Sequence, residues 1–373
     1  MKNVLIFFGG VSQEHEISII TGVLTANSID KEKFNPIAVY LSKNGEFFIG
    51  EELFNISFFK NVNFKKLKKV CLICGNNKLY QNKNGRLKQL CSISCAINCM
   101  HGKNGEDGAI CGLLQLCNVP IASPNTFCSS LSINKSLTNL VVGALGVKTC
   151  ESTLVEKGAF LFSREKEMLK IVDKICFPLI VKPCCSGSSI GISVAKNFSE
   201  LESSLESAFD FDNFVVCEKY VENAVDINCA VYSKGNEVVV SACEKPITIN
   251  EILTFKDKYT GAKTGVVKEF PANISIKNAL KIQDISAKIY KSLGFFGIVR
   301  FDFLLSDDQV YFNEINSVPG SLAYYLFCNK LSDFMGILTG LIEDALSNFN
   351  RAEQSVKTLD NGFVLKDIQG VKK

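Results

Sequence analysis

The chain has 373 residues, 47% of them hydrophobic and 21% charged, so it can bury substantial cores and is too long for one average domain. Its 41 basic and 38 acidic residues leave a net charge of +3 with the Lys and Arg positions scattered, which argues against nucleic acid as a partner. Apolar runs such as 140–147 fall far short of the roughly 20 residues a membrane span needs, and sixteen cysteines without an export signal read as reduced thiols of the cytoplasm.

In chain order, residues 4–8 are an apolar strand, Gly9-Gly10 a turn, and 13–28 an amphipathic helix that Ser12 is placed to cap. A second strand over 34–41 follows, as in a βαβ unit. Glu14 lies at this strand-to-helix turn, where ligands of α/β sheets gather. A glutamate there also suits the helix dipole, and the absence of GxGxxG gives no support to a dinucleotide. Over 45–90, short strands alternate with Asn-Gly turns at Asn44-Gly45 and Asn84-Gly85, which predicts hairpins. Cys71, Cys74, Cys91, Cys95 and Cys99 have a metal-like spacing, but the run from Cys91 to Cys99 reads as one buried strand with cysteine as a small core residue. A glycine-rich loop over 101–108, headed by His101, and a helix over 109–116 close a first unit at 1–124.

The middle segment, 125–219, opens with helices and continues with a strand over 177–183, the loop Cys184-Cys185-Ser186-Gly187-Ser188-Ser189, a strand to Ala195, a helix over 199–209 and a strand over 214–218. The loop is no Walker A motif, since no Gly-Lys-Ser/Thr occurs in it. Its small residues still let backbone N–H groups approach phosphate oxygens, and Lys182 beside it adds a charge. Glu218 and Lys219 end an apolar strand and Asp226 follows; carboxylates there can accept hydrogen bonds from an adenine amino group or a ribose, with a surface ion pair as the plainer alternative. The last segment, 220–373, reads as strand-rich to about 320 and helical over 331–347. Within it Lys258 and Tyr259 stand in a lysine- and glycine-rich stretch that suits a lid over phosphates.

The richest signal is Arg300-Phe301-Asp302-Phe303, a polar turn at 306–309, and Asn313-Glu314-Ile315-Asn316 running on to Pro319-Gly320. Strand side chains alternate, so Arg300 shares a face with Asp302, and Glu314 with Asn316. Hard oxygen ligands in this arrangement suit Mg²⁺ carrying phosphates, and a nearby guanidinium suits an anionic transition state.

Taken in order, Gly9-Gly10-Val11-Ser12-Gln13-Glu14, the His101 loop, Lys182 to Gly191, Glu218-Lys219, Lys258-Tyr259 and Glu314 to Gly320 resemble the D-alanine–D-alanine ligase family of the ATP-grasp superfamily, over about residues 4–345. The resemblance implies an α/β, three-domain ATP-grasp ligase with ATP between the central and C-terminal domains. It implies an acyl phosphate made on one D-alanine and attacked by the amine of a second, for peptidoglycan precursors. By motif, Glu14 would hold the first ammonium with His101 close by, and Ser188 and Tyr259 would link to Glu14. Lys135, Lys182, Ser189 and Lys258 would touch phosphates, and Glu218, Lys219, Val221 and Asp226 would hold adenine and ribose. Asp302, Glu314 and Asn316 match ligands of two Mg²⁺ or Mn²⁺ ions, and Arg300 with the Gly320 amide the stabilisers of an oxyanion. Tyr325 and Leu326 fall where the second substrate is received, and the run around them is closer to the branch that includes D-alanine–D-serine ligases. Asn134 stands where an aspartate is usual before the first ATP lysine. A homodimer is the family's usual state. A nucleotide-binding protein without turnover is the remote alternative, but no metal ligand and no Arg300 is missing.

Overall fold

The computed structural model describes residues 1–246 and 268–353; Lys258 and Tyr259 lie outside them. The first sheet has the order β6-β5-β4-β3-β2-β1-β7. β1 (Lys2–Gly9) lies between β2 (Phe34–Leu41) and β7 (Cys95–Asn98), parallel to both, while β3 (Phe47–Ile49), β4 (Lys68–Leu72), β5 (Lys78–Lys83) and β6 (Arg86–Ser92) extend the sheet by antiparallel pairs. The β5–β6 hairpin turns at Asn84 and Gly85, both at positive φ (51° and 81°), as Asn-Gly predicts. The cysteine run divides where one strand was expected. Cys91 is in β6 and Cys95 in β7, at opposite ends of the strand order, and Ser92-Ile93-Ser94 joins them beside Asn3 of β1, to which the Ser94 N–H donates (2.9 Å).

Helix α1 (His15–Asn27) packs on β1 and begins two residues later than its sequence pattern suggests. Ser12 does not cap it in the expected way. Its hydroxyl accepts the Glu14 N–H (3.2 Å) and donates to the His101 carbonyl (2.7 Å), so it staples the helix entry to the histidine loop. His15 donates from Nδ1 to the Gly10 carbonyl (2.5 Å), which leaves Nε2 to accept from the Tyr40 hydroxyl (3.1 Å). Burial lowers its pKa and keeps this ring neutral.

Helix α2 (Ala109–Leu116) closes the first unit. Helices α3 (Thr126–Ile133) and α4 (Lys135–Ala144) follow; Cys128 and Val142 from them enter the core of a later sheet. An antiparallel sheet of order β10-β9-β11-β8 comprises β8 (Ser152–Glu156), β9 (Leu179–Pro183), β10 (Ser193–Ala195) and β11 (Phe214–Lys219). Helices α5 (Lys157–Phe162), α6 (Arg164–Lys174) and α7 (Phe198–Ala208) cover one face with Phe160, Ile171, Leu201 and Leu205.

The next sheet has order β13-β12-β16-β17, from β12 (Val225–Lys234), β13 (Glu237–Val240), β16 (Ile298–Ser306) and β17 (Gln309–Asn316). A short ribbon, β14 (Lys245–Pro246) with β15 (Lys268–Glu269), stands beside it. Between these strands lies a helix the strand-rich reading passed over, α8 (Ile276–Ser292). Its signals are ordinary ones. Ser275 accepts the Asn278 N–H (3.2 Å) as an N-cap, and Ile282, Ile285 and Ile289 repeat at helical spacing against the sheet.

After β17 the chain makes a tight turn over Gly320–Leu326 and ends in helix α9 (Leu331–Glu353). Both return to the first unit. Phe334, Leu338, Leu341 and Ile342 share one core with Val4, Ile6, Phe8 and Ile19. The last helix thereby joins the two ends of the chain and holds the later sheets against the first. Among the described residues no helix is long and apolar enough to cross a membrane.

Candidate active site

A cavity of about 360 Å³ opens where the three sheets meet. Glu14, His101, Lys135, Lys182, Ser188, Ser189, Asp226, Arg300, Asp302, Glu314, Asn316, Gly320 and Tyr325 all line it, although they come from every part of the chain. Glu218 stands just behind the wall, while Lys219 is exposed and Val221 half-buried; these two and Leu326 do not line the cavity. Leu326 corrects the sequence expectation. It is buried in the core with Leu322 and Phe334, because α9 needs an apolar partner there, and only Tyr325 of the pair faces the cavity.

At one end Glu14 is enclosed by three segments. Its carboxylate takes a hydrogen bond from the Ser188 hydroxyl. Gly187 and Gly102 flank it so closely that a Cβ on either would come within 2.9 Å and 3.1 Å of Oε2. A side chain at either position would push the glutamate out of place, and Gly102 also needs its positive φ of 66°. Ser188 and Ser189 both hold φ in the left-handed region (51° and 59°), a strain of the kind that collects at ligand sites.

The His101 ring is buried and hydrogen-bonds through Nε2 to the Thr21 hydroxyl (3.0 Å), which also accepts the Ser321 N–H (2.9 Å). Burial, then the charge of Arg300, pushes the imidazole pKa down to about 3, so His101 is neutral at physiological pH. Glu106 faces the same space and is pushed up to about 8, by burial first and then by Glu14, with Glu314 adding to it. The amides of Gly102 and Val318 oppose that rise by hydrogen-bonding the carboxylate.

The hairpin supplies the opposite wall. Asp302 pairs with Glu314 and Arg300 with Asn316 across β16–β17, and a bulge follows Asp302. Arg300 grips Asp302 with two hydrogen bonds (2.7 and 2.8 Å), and Asn316 Nδ2 donates to it at 2.9 Å. Two carboxylates and an amide carbonyl are an all-oxygen set, the chemistry Mg²⁺ takes while keeping positions for water and phosphate. Among the described residues no group of three or more His, Cys, Asp or Glu forms a metal cage.

Two lysines face this wall. Lys135, at the start of α4, donates to the Ser186 carbonyl and lies 3.7 Å from Glu314. Lys182 is fully enclosed, pairs with Glu218 at 2.7 Å and donates to Asn313 at 3.1 Å. Burial alone would discharge it, but Glu218, with Glu314, outweighs that and raises its pKa. Asn139 completes the pair by donating to the other Glu218 oxygen (2.9 Å). Asn134, where the family pattern has aspartate, caps α4 by accepting the Leu137 N–H (3.0 Å), so Lys135 is still presented at a helix start.

Residues that sequence reasoning left unassigned also belong here. Asn139 had a signal, one helical turn from Lys135 on the same face, and Asn313 and Glu106 lay inside motifs already singled out. Thr21, Glu244 and Lys268 had none, since their roles come from tertiary contacts.

A cleft between two antiparallel sheets, with a buried lysine on one, a second at the start of α4 and paired carboxylates on the other sheet, defines an ATP-grasp ligase, which activates a carboxylate and joins it to an amine. Residues 3–124 match the D-ala D-ala ligase N-terminus family and 141–343 the D-ala D-ala ligase C-terminus family, and the chain belongs to the D-alanine–D-alanine ligase family. It is 35% identical to a D-alanine–D-alanine ligase of Thermosipho melanesiensis over 98% of each chain. It is 37% identical to one of Campylobacter lari over 91% of this chain and 92% of that one. Among solved structures it resembles the Helicobacter pylori D-alanine–D-alanine ligase, with TM-score 0.73 and 30% identity over 92% of this chain and 98% of that one. It also resembles the VanG D-Ala:D-Ser ligase of Enterococcus faecalis, with TM-score 0.77 and 26% identity over 91% and 99%.

Proposed function

We propose that the chain is an ATP-dependent ligase that joins two D-alanines into D-alanyl-D-alanine for peptidoglycan precursors. The observation that carries this is the shared cavity. It sets an anionic ammonium site, Glu14 with Ser188, opposite an oxygen-rich phosphate and metal wall of Asp302, Glu314 and Asn316.

In this reading Glu14 takes the ammonium of the first D-alanine and thereby directs its carboxylate toward the hairpin. Lys135, Lys182 and Ser189 contact ATP phosphates, joined by Lys258 of the lid, while Glu218, Lys219, Val221 and Asp226 hold adenine and ribose. Asp302, Glu314 and Asn316 would hold two Mg²⁺ or Mn²⁺ ions, which supply charge neutralisation for the transferring phosphoryl group. Arg300 and the Gly320 amide face the oxyanion formed when the second amine adds to the acyl phosphate. Gly320 itself lines the cavity. His101, neutral and tied to Thr21, positions substrate without adding charge. By the family resemblance alone Tyr259, outside the described residues, would link to Glu14 and Ser188 and so exclude water that would hydrolyse the acyl phosphate. We place the reaction in the cytoplasm, supported by sixteen cysteines that are all free thiols, and expect a homodimer.

Coupled ADP release on adding D-alanine, Mg²⁺ and ATP is the expected result, with D-alanyl-D-alanine as product. No release above background would overturn the reading. D-serine in excess tests the alternative acceptor suggested by the likeness to the VanG ligase, and a mixed dipeptide as main product would replace D-alanine at the second site.

A further inference from the structure

Cys71 and Cys74 form a Cys-x-x-Cys run that the ligase reading leaves unused, and the structure separates the two. Cys71 lies inside β4 between Val70 and Leu72, which both turn to the core of the first unit, so strand alternation sends Cys71 to the other face. Cys74 is exposed at the tip of the β4–β5 hairpin. The turn there closes from the Asn76 N–H to the Ile73 carbonyl (3.4 Å), with Gly75 at a φ of 85°. The thiol that Cys74 meets is that of Cys117, which ends α2 and is wholly buried. The Gly75 N–H donates to the Leu116 carbonyl (2.9 Å), and Asn118 Nδ2 donates to the Gly75 carbonyl (3.5 Å). The first of these bonds joins the peptide unit that leaves Cys74 to the one that enters Cys117, so the backbone holds the two cysteines side by side. Burial first, and then the Cys74 thiol beside it, push the Cys117 pKa up to about 11. Neither residue lines the cavity.

We propose that Cys74 and Cys117 are an oxidation site, a thiol pair that hydrogen peroxide converts to a disulfide and that a dithiol returns to the reduced form. In the first step the exposed Cys74 sulfur takes one oxygen from the peroxide. An S–O bond forms, the O–O bond breaks and one water leaves, so Cys74 is oxidised to a sulfenic acid and the peroxide is reduced. The Cys117 sulfur then attacks the Cys74 sulfur. An S–S bond forms, the S–O bond breaks, and the hydroxyl departs with the Cys117 thiol proton as a second water. The order follows from the surroundings. Cys117 is shielded from solvent and held as a thiol, so it is inert until an oxidised sulfur stands next to it. The disulfide would close the loop from 74 to 117 and pin the hairpin tip to the end of α2, which stabilises the first unit by constraining its unfolded chain. This inference is independent of the ligase reading.

The test treats the full-length protein with hydrogen peroxide, blocks the remaining thiols with iodoacetamide and maps unreduced peptides by mass spectrometry. The wild type should give a cross-linked peptide that joins the segment carrying Cys74 to the segment carrying Cys117, and dithiothreitol should remove it. Cys71→Ser should keep the cross-link. Cys74→Ser, a change at an exposed position that leaves the core intact, should abolish it, and Cys117→Ala should abolish it from the buried side. The oxidised wild type should melt about 5 °C above the reduced protein, and Cys74→Ser should show no such difference. A bridge between Cys71 and Cys74 in place of the long-range one would overturn the proposal. So would a Cys74 that stays a free thiol, or one that is oxidised to a sulfinic acid with Cys117 left reduced.

Discussion

The β16–β17 hairpin and the turn at Gly320–Leu326 are continuous in the chain and line the same cavity, yet they are held in opposite ways. The hairpin is local. Its register follows from pairing across a short turn, and Asp302, Glu314 and Asn316 face the cavity because strand side chains alternate. The turn is held from a distance. Ser321, Leu322 and Ala323 have φ of 52°, 48° and 48°, a left-handed run that non-glycine residues rarely adopt. It is secured by the Thr21 hydroxyl, 300 residues earlier, and by burial of Leu322 and Ala323 against the first unit. The charge-handling part of the site is therefore autonomous, whereas the part beside the second substrate exists only when the N-terminal unit is docked. Substitutions in the two regions should fail differently.

The largest effect is expected in the hairpin. Glu314→Gln removes a proposed metal ligand from a partly exposed strand position and should reduce kcat by on the order of 10³-fold or more, comparable with loss of a preorganised electrostatic group. The melting temperature should move by no more than about 3 °C, the shift that about 1 kcal/mol gives a domain of this size. Turnover and thermal unfolding measured on one preparation check both halves. A Glu314→Gln enzyme with wild-type kcat would show that the hairpin does not hold the metal.

The same contrast explains what the sequence made legible. The hairpin, the first βαβ unit and helix α2 were readable to within a residue or two, since alternation, Asn-Gly turns and helical spacing are local signals. So was the loop at Ser188, which the run of small residues places between β9 and β10. The cysteine run misled because an alternating run of small and apolar residues reads alike whether or not the strand is interrupted, although β6 is largely exposed and only β7 is buried. Leu326 misled for a related reason. A motif gives the order of residues past Gly320, but a left-handed turn decides which of them face inward, and only α9 packing against the first sheet sets that. Thr21 was invisible because nothing in a helix sequence distinguishes a hydroxyl that meets a backbone amide hundreds of residues away.

Thr21 is accordingly the place to break the second region. Thr21→Val keeps shape and removes the hydroxyl, which leaves the Ser321 N–H without its acceptor and the His101 ring without its tether. An orphaned buried donor costs about 1–3 kcal/mol. If that cost is paid where the second amine attacks, kcat/KM for the second D-alanine should fall by roughly ten- to a hundredfold, with KM for ATP unchanged. Thr21→Ser restores the hydroxyl and should recover activity to within a few-fold. Steady-state kinetics with each substrate varied in turn is the check, and a Thr21→Val enzyme as active as the wild type beside an impaired Thr21→Ser would mean the methyl group matters and the hydroxyl does not.

The last effect, and the one that joins the two regions, is electrostatic. Glu106 lies between Glu14 and Glu314, and its carboxyl also meets the amides of Gly102 and of Val318, the residue just before the Pro319-Gly320 corner. Its pKa is raised from 4.5 to about 8 in the folded protein, so folding favours the protonated acid. Stability from this proton is fully present below pH 4.5, the unfolded value, and is lost as pH rises through about 8. Glu106→Gln carries a permanent neutral mimic. Its melting temperature should match the wild type near pH 4.5, rise above it as pH increases, and keep a constant advantage beyond pH 8. Saturating Mg²⁺ and ATP should shrink the difference, because cations beside Glu314 relieve the repulsion that holds the proton on Glu106. Parallel melting curves for the two proteins across pH 4.5–9 would mean that folding leaves the Glu106 pKa at its ordinary value. The acidic ends of the cavity would then be insulated from one another, with no charge coupling between the amino-acid site and the metal wall.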